Sequence, residues 1–331
     1  MLGYNRARCP PMRRAWLIYN PYAGSFPAGF FLSRAVRVLS DAAWDVYVTE
    51  SSDAESVAEL ARKAVEAGCQ AVFVAGGDGS VGQAAGALAG TQTALGVLPT
   101  GTANVWAQGI GLPRLDWSNW FALEEAAASL ALGQTRLVDV GRCGQHAFLL
   151  WGGLGLDGRI VNSLEPRQRW EKALGTIHYA TLAFWTSLNW EGMDLRVEAG
   201  ERSWEGRFLV AVASNIRSYA GGLLELSPGA LVDDGLLDFW LISGRSVVDA
   251  VMRVVQVLVG SHVDAPGVVH FQASHATFHS AYPLPMQFDG EPYVLQTPLE
   301  FSVSQKALRV LVPRDAQALF SAKTAAQGRE E

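Results

Sequence analysis

The spacing of apolar positions changes character near Gly133. Before it, short continuous apolar runs alternate with runs at three- and four-residue spacing. Ala15–Tyr19 is apolar and ends in Asn20-Pro21, a strand running into a turn. Phe31, Ala35, Val38 and Leu39 recur at helical spacing, with Ser25 placed to cap that helix and Pro27 near its first turn. Asp45–Thr49 reads as a second strand. Ser52 and Glu55 fit a capping box ahead of Val57, Leu60, Ala61, Ala64 and Val65, and Gly68 is a stop signal. Ala71–Ala75 is apolar throughout and gives way to Gly76-Gly77-Asp78-Gly79-Ser80. Ala84–Leu88 suits a helix, and Ala94–Leu98 a strand that leads into Pro99-Thr100-Gly101-Thr102-Ala103-Asn104. Strands without alternation, separated by helices, predict a parallel sheet covered on both faces.

After Gly133 the period drops to two. Arg136–Val140, Ala147–Trp151, Asp194–Glu198, Phe208–Ser214, Leu237–Ile242, His275–Phe278, Met286–Phe288, Leu299–Val303 and Leu308–Val312 read as short strands separated by turn residues. They predict an antiparallel β-rich second domain with two helical insertions, Arg169–Leu188 and Val247–Val259. The expected division is residues 1–134 as an α/β domain and 135–331 as a β-rich domain, with the C-terminal tail free to return to the first. From Ala316 the tail is polar and Ala-rich, and a frayed end is expected.

Composition narrows the function. Of 331 residues, 49% are hydrophobic and 18% charged, which excludes a disordered chain. A net charge of −6 argues against bulk nucleic-acid binding, which needs a basic surface. Cys9, Cys69 and Cys143 are odd in number and far apart, so a reducing compartment fits better than a disulfide framework. Met1–Arg14 is Arg-rich without an apolar core, and Val247–Val259 is interrupted by Asp249, Arg253 and Gln256. Neither a signal peptide nor a membrane span is expected. Eleven tryptophans serve either core packing or an aromatic surface that meets a membrane.

The glycine loop Gly76-Gly77-Asp78-Gly79-Ser80 carries the clearest chemistry. Glycines let the backbone turn sharply after a buried strand, and the free N–H groups there suit an anion such as phosphate. Asp78, at the carboxyl end of a parallel strand, sits where α/β sheets bind ligands, and a carboxylate there can hold Mg²⁺ or accept a proton. As plain structure, the same Asp could cap the following helix. Asn20-Pro21-Tyr22-Ala23-Gly24 and Pro99–Asn104 belong to the same sheet edge. Alone each reads as a turn; three such loops on one edge read as a phosphate or ribose pocket. Asp289-Gly290-Glu291 has the composition of a hairpin turn. Asp233-Asp234-Gly235-Leu236-Leu237-Asp238 is either a solvated turn or a small cation site. The six histidines show no metal spacing, and Ser214 lacks the context of a hydrolase nucleophile. Arg159, Arg167, Arg169 and Lys172, ahead of Leu174, Ile177, Phe184, Trp185 and Trp190, form either a docking face for anionic membrane or an ordinary packed helix.

Taken in order, Asn20-Pro21-x-Ala23-Gly24, Gly76–Ser80, Pro99-x-Gly101-Thr102-x-Asn104, Asn215 with Gly221-Gly222, Pro228 through Asp238, and Asp289-Gly290-Glu291-Pro292 make the chain resemble the diacylglycerol kinase catalytic-domain family over roughly residues 14–312. That family includes sphingosine kinases and bacterial lipid kinases. The resemblance implies an NAD kinase/diacylglycerol kinase-like α/β domain, a β-sandwich-like second domain, and transfer of the γ-phosphoryl group of ATP to a lipid hydroxyl. It implies Asn20, Pro21, Tyr22, Ala23, Gly24, Thr49, Gly76, Gly77, Gly79, Ser80, Val81, Gly82, Gln83, Gly101, Thr102 and Asn104 around ATP. Asp78 would organise catalytic Mg²⁺, Glu291 would be the general base, and Asp234 with the carbonyls of Leu231 and Leu236 would hold a structural Mg²⁺. The implied protein is cytoplasmic and peripheral to the membrane that carries its lipid substrate, with a place in phospholipid synthesis and an oligomeric state left open. The family more often has Asn-Glu where this chain has Gly82-Gln83, Asn-Asp where it has Asn104-Val105, and Thr where it has Ser80. Two carboxylates are thereby missing near the nucleotide loops. A kinase of a soluble substrate and a non-catalytic nucleotide- or lipid-binding regulator are the competing readings.

Overall fold

A computed structural model of the chain describes residues 13–21, 23–24, 29–52, 54–116, 118–163, 190–244 and 246–321. The first half alternates as the hydrophobic pattern predicts: β1 (Arg13–Tyr19), α1 (Gly29–Asp41), β2 (Trp44–Glu50), α2 (Ala54–Glu66), β3 (Ala71–Gly76), α3 (Asp78–Leu88), β4 (Ala94–Pro99), α4 (Val105–Gly109) and α5 (Ala122–Ala131). The strands run parallel in the order β2-β1-β3-β4. Every residue of β3 and β4 is buried, which explains why neither alternates: helices cover both faces. The capping and proline signals at Ser25 and Pro27 lie outside the described residues.

Helix α3 starts six residues earlier than its apolar spacing suggests. Gly79 and Gly82 are poor helix formers, costing about 1 kcal/mol each relative to Ala. They are held in the helix by packing: Ser80, Val81 and Gly82 are all buried. The glycine loop is therefore half loop and half helix N-terminus, with Gly77 at the N-cap.

The second half is antiparallel and built from β5 (Gln134–Cys143), β6 (His146–Phe148), β7 (Trp151–Gly155), α6 (Leu156–Ser163), β8 (Met193–Ala199), β9 (Arg202–Ser214), β10 (Ser218–Tyr219), β11 (Leu224–Glu225), β12 (Leu237–Ser243), α7 (Val247–Leu258), β13 (Val268–Ala273), β14 (His275–His279), β15 (Leu284–Phe288), β16 (Glu291–Leu295) and β17 (Leu299–Val312). Its core is built on aromatic rings: Phe239 stacks on Phe271 at 5.0 Å, and Phe278 meets Phe301 edge-on at 5.1 Å. The two short strands expected at Leu299–Val303 and Leu308–Val312 are one long strand, β17, with an irregularity between Ser304 and Leu308. There Lys306 adopts φ 49°, and its N–H donates to the buried Asp139 carboxylate at 2.6 Å; the Gly235 N–H donates to the other oxygen at 2.6 Å. The polar interruption Ser304-Gln305-Lys306 is thus a bulge that satisfies a buried acid.

Strand β17 also joins the halves. It pairs antiparallel with β5 and β14, and parallel with β4 at Val310–Leu95. Beyond it, Ala316, Leu319 and Phe320 are buried, so the start of the tail packs; its end lies outside the described residues. Among the eight described tryptophans, Trp44, Trp106, Trp151 and Trp240 are buried and only Trp120 is exposed. Core packing accounts for most of them. Helix α7 exposes an apolar strip through Val248, Val251, Met252, Val255 and Leu258. The predicted helix Arg169–Leu188 lies outside the described residues. No helix among the described residues is long and apolar enough to cross a membrane.

Candidate active site

Three loops meet at the carboxyl ends of β1, β3 and β4. A side chain on Gly24 (φ 71°) would overlap the Thr100 carbonyl, and one on Gly101 would overlap the Gly77 backbone. Glycine is required at both places because backbone meets backbone. The Asn20 amide donates to Ser80 Oγ at 3.0 Å, tying the first loop to the second. Asn104, left-handed at φ 54°, accepts from Gly101 N at 2.9 Å and returns a bond to Gly101 O at 2.7 Å. Its side chain is committed to shaping the third loop. Thr100 Oγ1 and Gln83 Oε1 are buried in this region with no hydrogen-bond partner among the described residues.

Asp78 opens α3 and is half-buried. The Trp106 N–H donates to its Oδ1 at 3.3 Å, so the carboxylate also ties the second loop to the start of α4. Burial raises its pKa, with the amides of Val105, Trp106 and Asn104 pulling the other way. Thr49 sits near the end of β2, where its hydroxyl accepts from the Trp16 indole at 3.1 Å. Thr102 is exposed, with its carbonyl bonded to Arg114 at 2.9 Å. Pro21, Ala23 and Val81 flank the same loops, and Tyr22 lies outside the described residues.

The second domain closes the site. Leu149 and Leu150 interrupt what the sequence suggests is one strand, Ala147–Trp151, splitting it into β6 and β7. The amides of Leu149, Leu150 and Trp151 turn onto the Asp289 carboxylate at 2.7, 2.8 and 3.1 Å. Burial nevertheless pushes Asp289 up to about 7, and the neighbouring Asp78 adds to the rise. Asp289 and Gly290, at φ 49° and 90°, turn the chain from β15 into β16 and present Glu291. A Cβ on Gly79 would stand 2.5 Å from Glu291 Oε1, and one on Gly82 would overlap Asp289 Oδ2. Glu291 therefore lies against the glycine loop, and Asp289 against the first turns of α3. The sequence pointed to Glu291 but gave Asp289 no part in the site; only its place in the Asp-Gly-Glu turn hinted at one.

The family description "Diacylglycerol kinase catalytic domain" matches residues 14–143, and "YegS C-terminal NAD kinase beta sandwich-like domain" matches residues 153–312. The chain belongs to the diacylglycerol kinase catalytic-domain family. Among its relatives, a diacylglycerol kinase of Mycobacterium tuberculosis is 32% identical over 302 residues, covering 89% of this chain and 94% of the relative. A Chromohalobacter salexigens protein named "Probable lipid kinase YegS-like" is 30% identical, covering 84% and 86%. The crystal structure of a Bacillus anthracis diacylglycerol kinase superposes with a TM-score of 0.70 at 20% identity, covering 92% of this chain and 98% of that one, and shows the same fold. Membership makes the protein a kinase, and a kinase family implies use of ATP.

Within this diacylglycerol kinase frame the departure at Gly82 has a local reason. Any side chain there must displace Asp289, which three amides hold in place. We expect Gly82→Ala to lower the melting temperature. The helix propensity gained is about 1 kcal/mol. Overpacking costs about 1–3 kcal/mol, and displacing Asp289 adds to it. A melting temperature at or above that of the wild type would show that Asp289 yields freely.

The residues expected to form the second cation site lie in a turn at the surface. Asp234 is exposed, and its Oδ1 accepts from Leu236 N at 3.0 Å. Partial desolvation raises its pKa, the Leu236 amide opposes this, and the carboxylates of Asp139, Asp238 and Asp233 reinforce it. Leu231 and Leu236 flank it on either side. Among the described residues no group of three or more His, Cys, Asp or Glu side chains has metal-binding geometry.

Proposed function

We propose that the protein is an ATP-dependent lipid kinase that transfers the γ-phosphoryl group to the hydroxyl of a diacylglycerol-like or sphingoid-like lipid. The observation that carries this is Glu291, which the second domain sets against Gly79 of the glycine loop. An acid delivered from the substrate domain to the phosphate loop of the other is what in-line phosphoryl transfer to an alcohol needs. In this reading the amides of the Gly76–Gln83 loop and of α3 hold phosphate, and Asn20, Ala23, Gly24, Thr49, Gly101 and Thr102 border the rest of the nucleotide. Thr100 Oγ1 and Gln83 Oε1, both buried without partners among the described residues, favour a polar ligand, because each such atom costs about 1–3 kcal/mol if left unmet. Glu291 takes the proton as the acceptor O–H bond breaks. The acceptor oxygen bonds to the γ-phosphorus, and ADP leaves with the electrons of the broken bridge.

The oxygen-donor character of Asp78, with Asp289 and Glu291 nearby, fits Mg²⁺. When bound, the ion would supply positive charge to the phosphates. Asp234, with the carbonyls of Leu231 and Leu236, is proposed to hold a second, structural Mg²⁺, favoured by the negative field that Asp139, Asp238 and Asp233 set up at its carboxylate. The expected result is a rise in melting temperature with millimolar Mg²⁺ that Asp234→Ala abolishes. A wild-type protein whose melting ignores Mg²⁺ leaves Asp234 a solvated turn.

An acceptor with acyl or sphingoid chains resides in a bilayer, so the kinase must work at a membrane surface. The apolar strip of α7 supports such a contact. The basic and aromatic stretch Arg167–Trp190 falls outside the described residues except for Trp190, over whose ring Arg159 sits at 5.0 Å. We expect the protein to sediment with vesicles containing anionic lipid and diacylglycerol, and to release in part as salt rises. A panel of lipid, sugar and nucleotide acceptors tests the function as a whole: lipid-dependent ADP release supports it, whereas turnover on soluble acceptors alone would replace it with the soluble-substrate reading.

A further inference from the structure

A second buried acid stands behind the Glu291 turn, and the chemistry above does not use it. Asp157 lies in the first turn of α6 and is buried, as is Gln287 of β15. Gln287 Nε2 donates to Asp157 Oδ2 at 2.7 Å, and Gln287 Oε1 accepts from the Gly290 N–H at 2.8 Å. Asp157 also accepts from the Tyr219 hydroxyl. The surroundings are shaped around this carboxylate. A Cβ on Gly153 would overlap Asp157 Oδ2, and one on Gly158 would overlap the Pro285 carbonyl. Asn162, one helical turn further along α6, donates to Gly158 O at 2.7 Å and to Met286 O at 3.1 Å, pinning the helix to the hairpin.

The polarity of this chain of bonds has one solution. Burial raises the pKa of Asp157, and the donors Gln287 and Tyr219 oppose that rise; a carboxylate oxygen facing a donor only accepts, so Gln287 turns its NH₂ inward. The Gln287 oxygen must then face the Gly290 N–H, which a two-residue turn otherwise leaves without a partner. We infer that Asp157 is a positioning residue for phosphoryl transfer, fixing the Gln287 amide so that Gly290, and with it Glu291, is held against the glycine loop. This inference rests on Glu291 being the base. A base misplaced by about 1 Å can cost about 10²-fold in rate, so the relay acts on turnover and leaves the nucleotide loops alone.

The test is a reciprocal swap. Gln287→Glu sets two carboxyl groups face to face; at a pH high enough to ionise both, it should lower kcat about 10²-fold while the KM for ATP stays unchanged. Adding Asp157→Asn restores one amide facing one carboxylate with the order reversed. The introduced amide donates to the introduced carboxylate, whose other oxygen accepts from Gly290, and turnover should largely return. Should Gln287→Glu fail to fold, Gln287→Met keeps the volume and removes the relay. It should lower kcat about tenfold or more through the same loss of alignment. In either single variant the Gly290 amide should exchange with solvent faster than in the wild type, a readout independent of kinase activity. A double variant no better than Gln287→Glu, or a Gln287→Met protein with wild-type kcat and Gly290 protection, overturns the relay. Glu291→Gln run in parallel separates the two ideas: full turnover there removes the base, whereas its loss alongside fully active relay variants removes the relay alone.

Discussion

Asp78→Asn should abolish most turnover, by about 10³-fold, and leave the melting temperature unchanged or slightly raised. The loss is the upper end of what a single electrostatic group contributes in a closed site. The stability follows from the sign of the shift. Burial raises the pKa of Asp78, so the fold holds its charged form less well than water does. A neutral amide of the same shape removes that penalty, and its oxygen can still accept from the Trp106 N–H. Loss of activity without loss of stability marks a residue kept for function. Turnover and melting measured on the same preparation check this. A folded Asp78→Asn protein with near-normal turnover would remove Asp78 from the site, and one that melts far lower would make it a structural cap for α4.

Glu291→Gln should lower kcat by about 10²–10⁴-fold, the range of a general base acting on a weak hydroxyl nucleophile, with ATP affinity retained. The side chain rests against Gly79 from the opposite domain, and the hairpin that carries it is held by Asp289 and its three amide donors. Exchanging one carboxylate oxygen for NH₂ leaves those contacts in place. Titration calorimetry with ATP alongside steady-state kinetics separates the outcomes. A parallel fall in affinity and turnover would mean that the substitution distorts the glycine loop, and Glu291 would then be part of the nucleotide site.

The parallel half of the fold was legible because β1, β3 and β4 are buried runs between amphipathic helices, a pattern set by local sequence. The start of α3 was not, since Gly79 and Gly82 carry no helical period and are recruited by contact with Glu291 and Asp289, more than two hundred residues later. The same holds for β17, read as two strands because Lys306 sits in a bulge whose purpose is to reach Asp139. Strands β13 and β16 and helix α6 escaped for a related reason. Half-exposed hairpin partners such as Glu291–Leu295 have mixed patterns, and α6 is short and held by Asn162 and Asp157. At the site, the glycine loops announced themselves by composition. Asp289 and Asp157 did not, because a buried acid is recognised by the amides that surround it, and those come from remote parts of the chain.

If one cleft, with the glycine loop on one wall and Glu291 on the other, moves the phosphoryl group from ATP to a lipid hydroxyl, the γ-phosphorus must end in the lipid. A single-turnover reaction with ATP labelled at the γ-phosphate, in mixed micelles presenting diacylglycerol or sphingosine, tests it most directly. Label should appear in the lipid fraction for the wild type and be absent for both Asp78→Asn and Glu291→Gln. Label that appears only as inorganic phosphate or on a soluble acceptor, or that reaches lipid equally well in the Glu291→Gln protein, would contradict it.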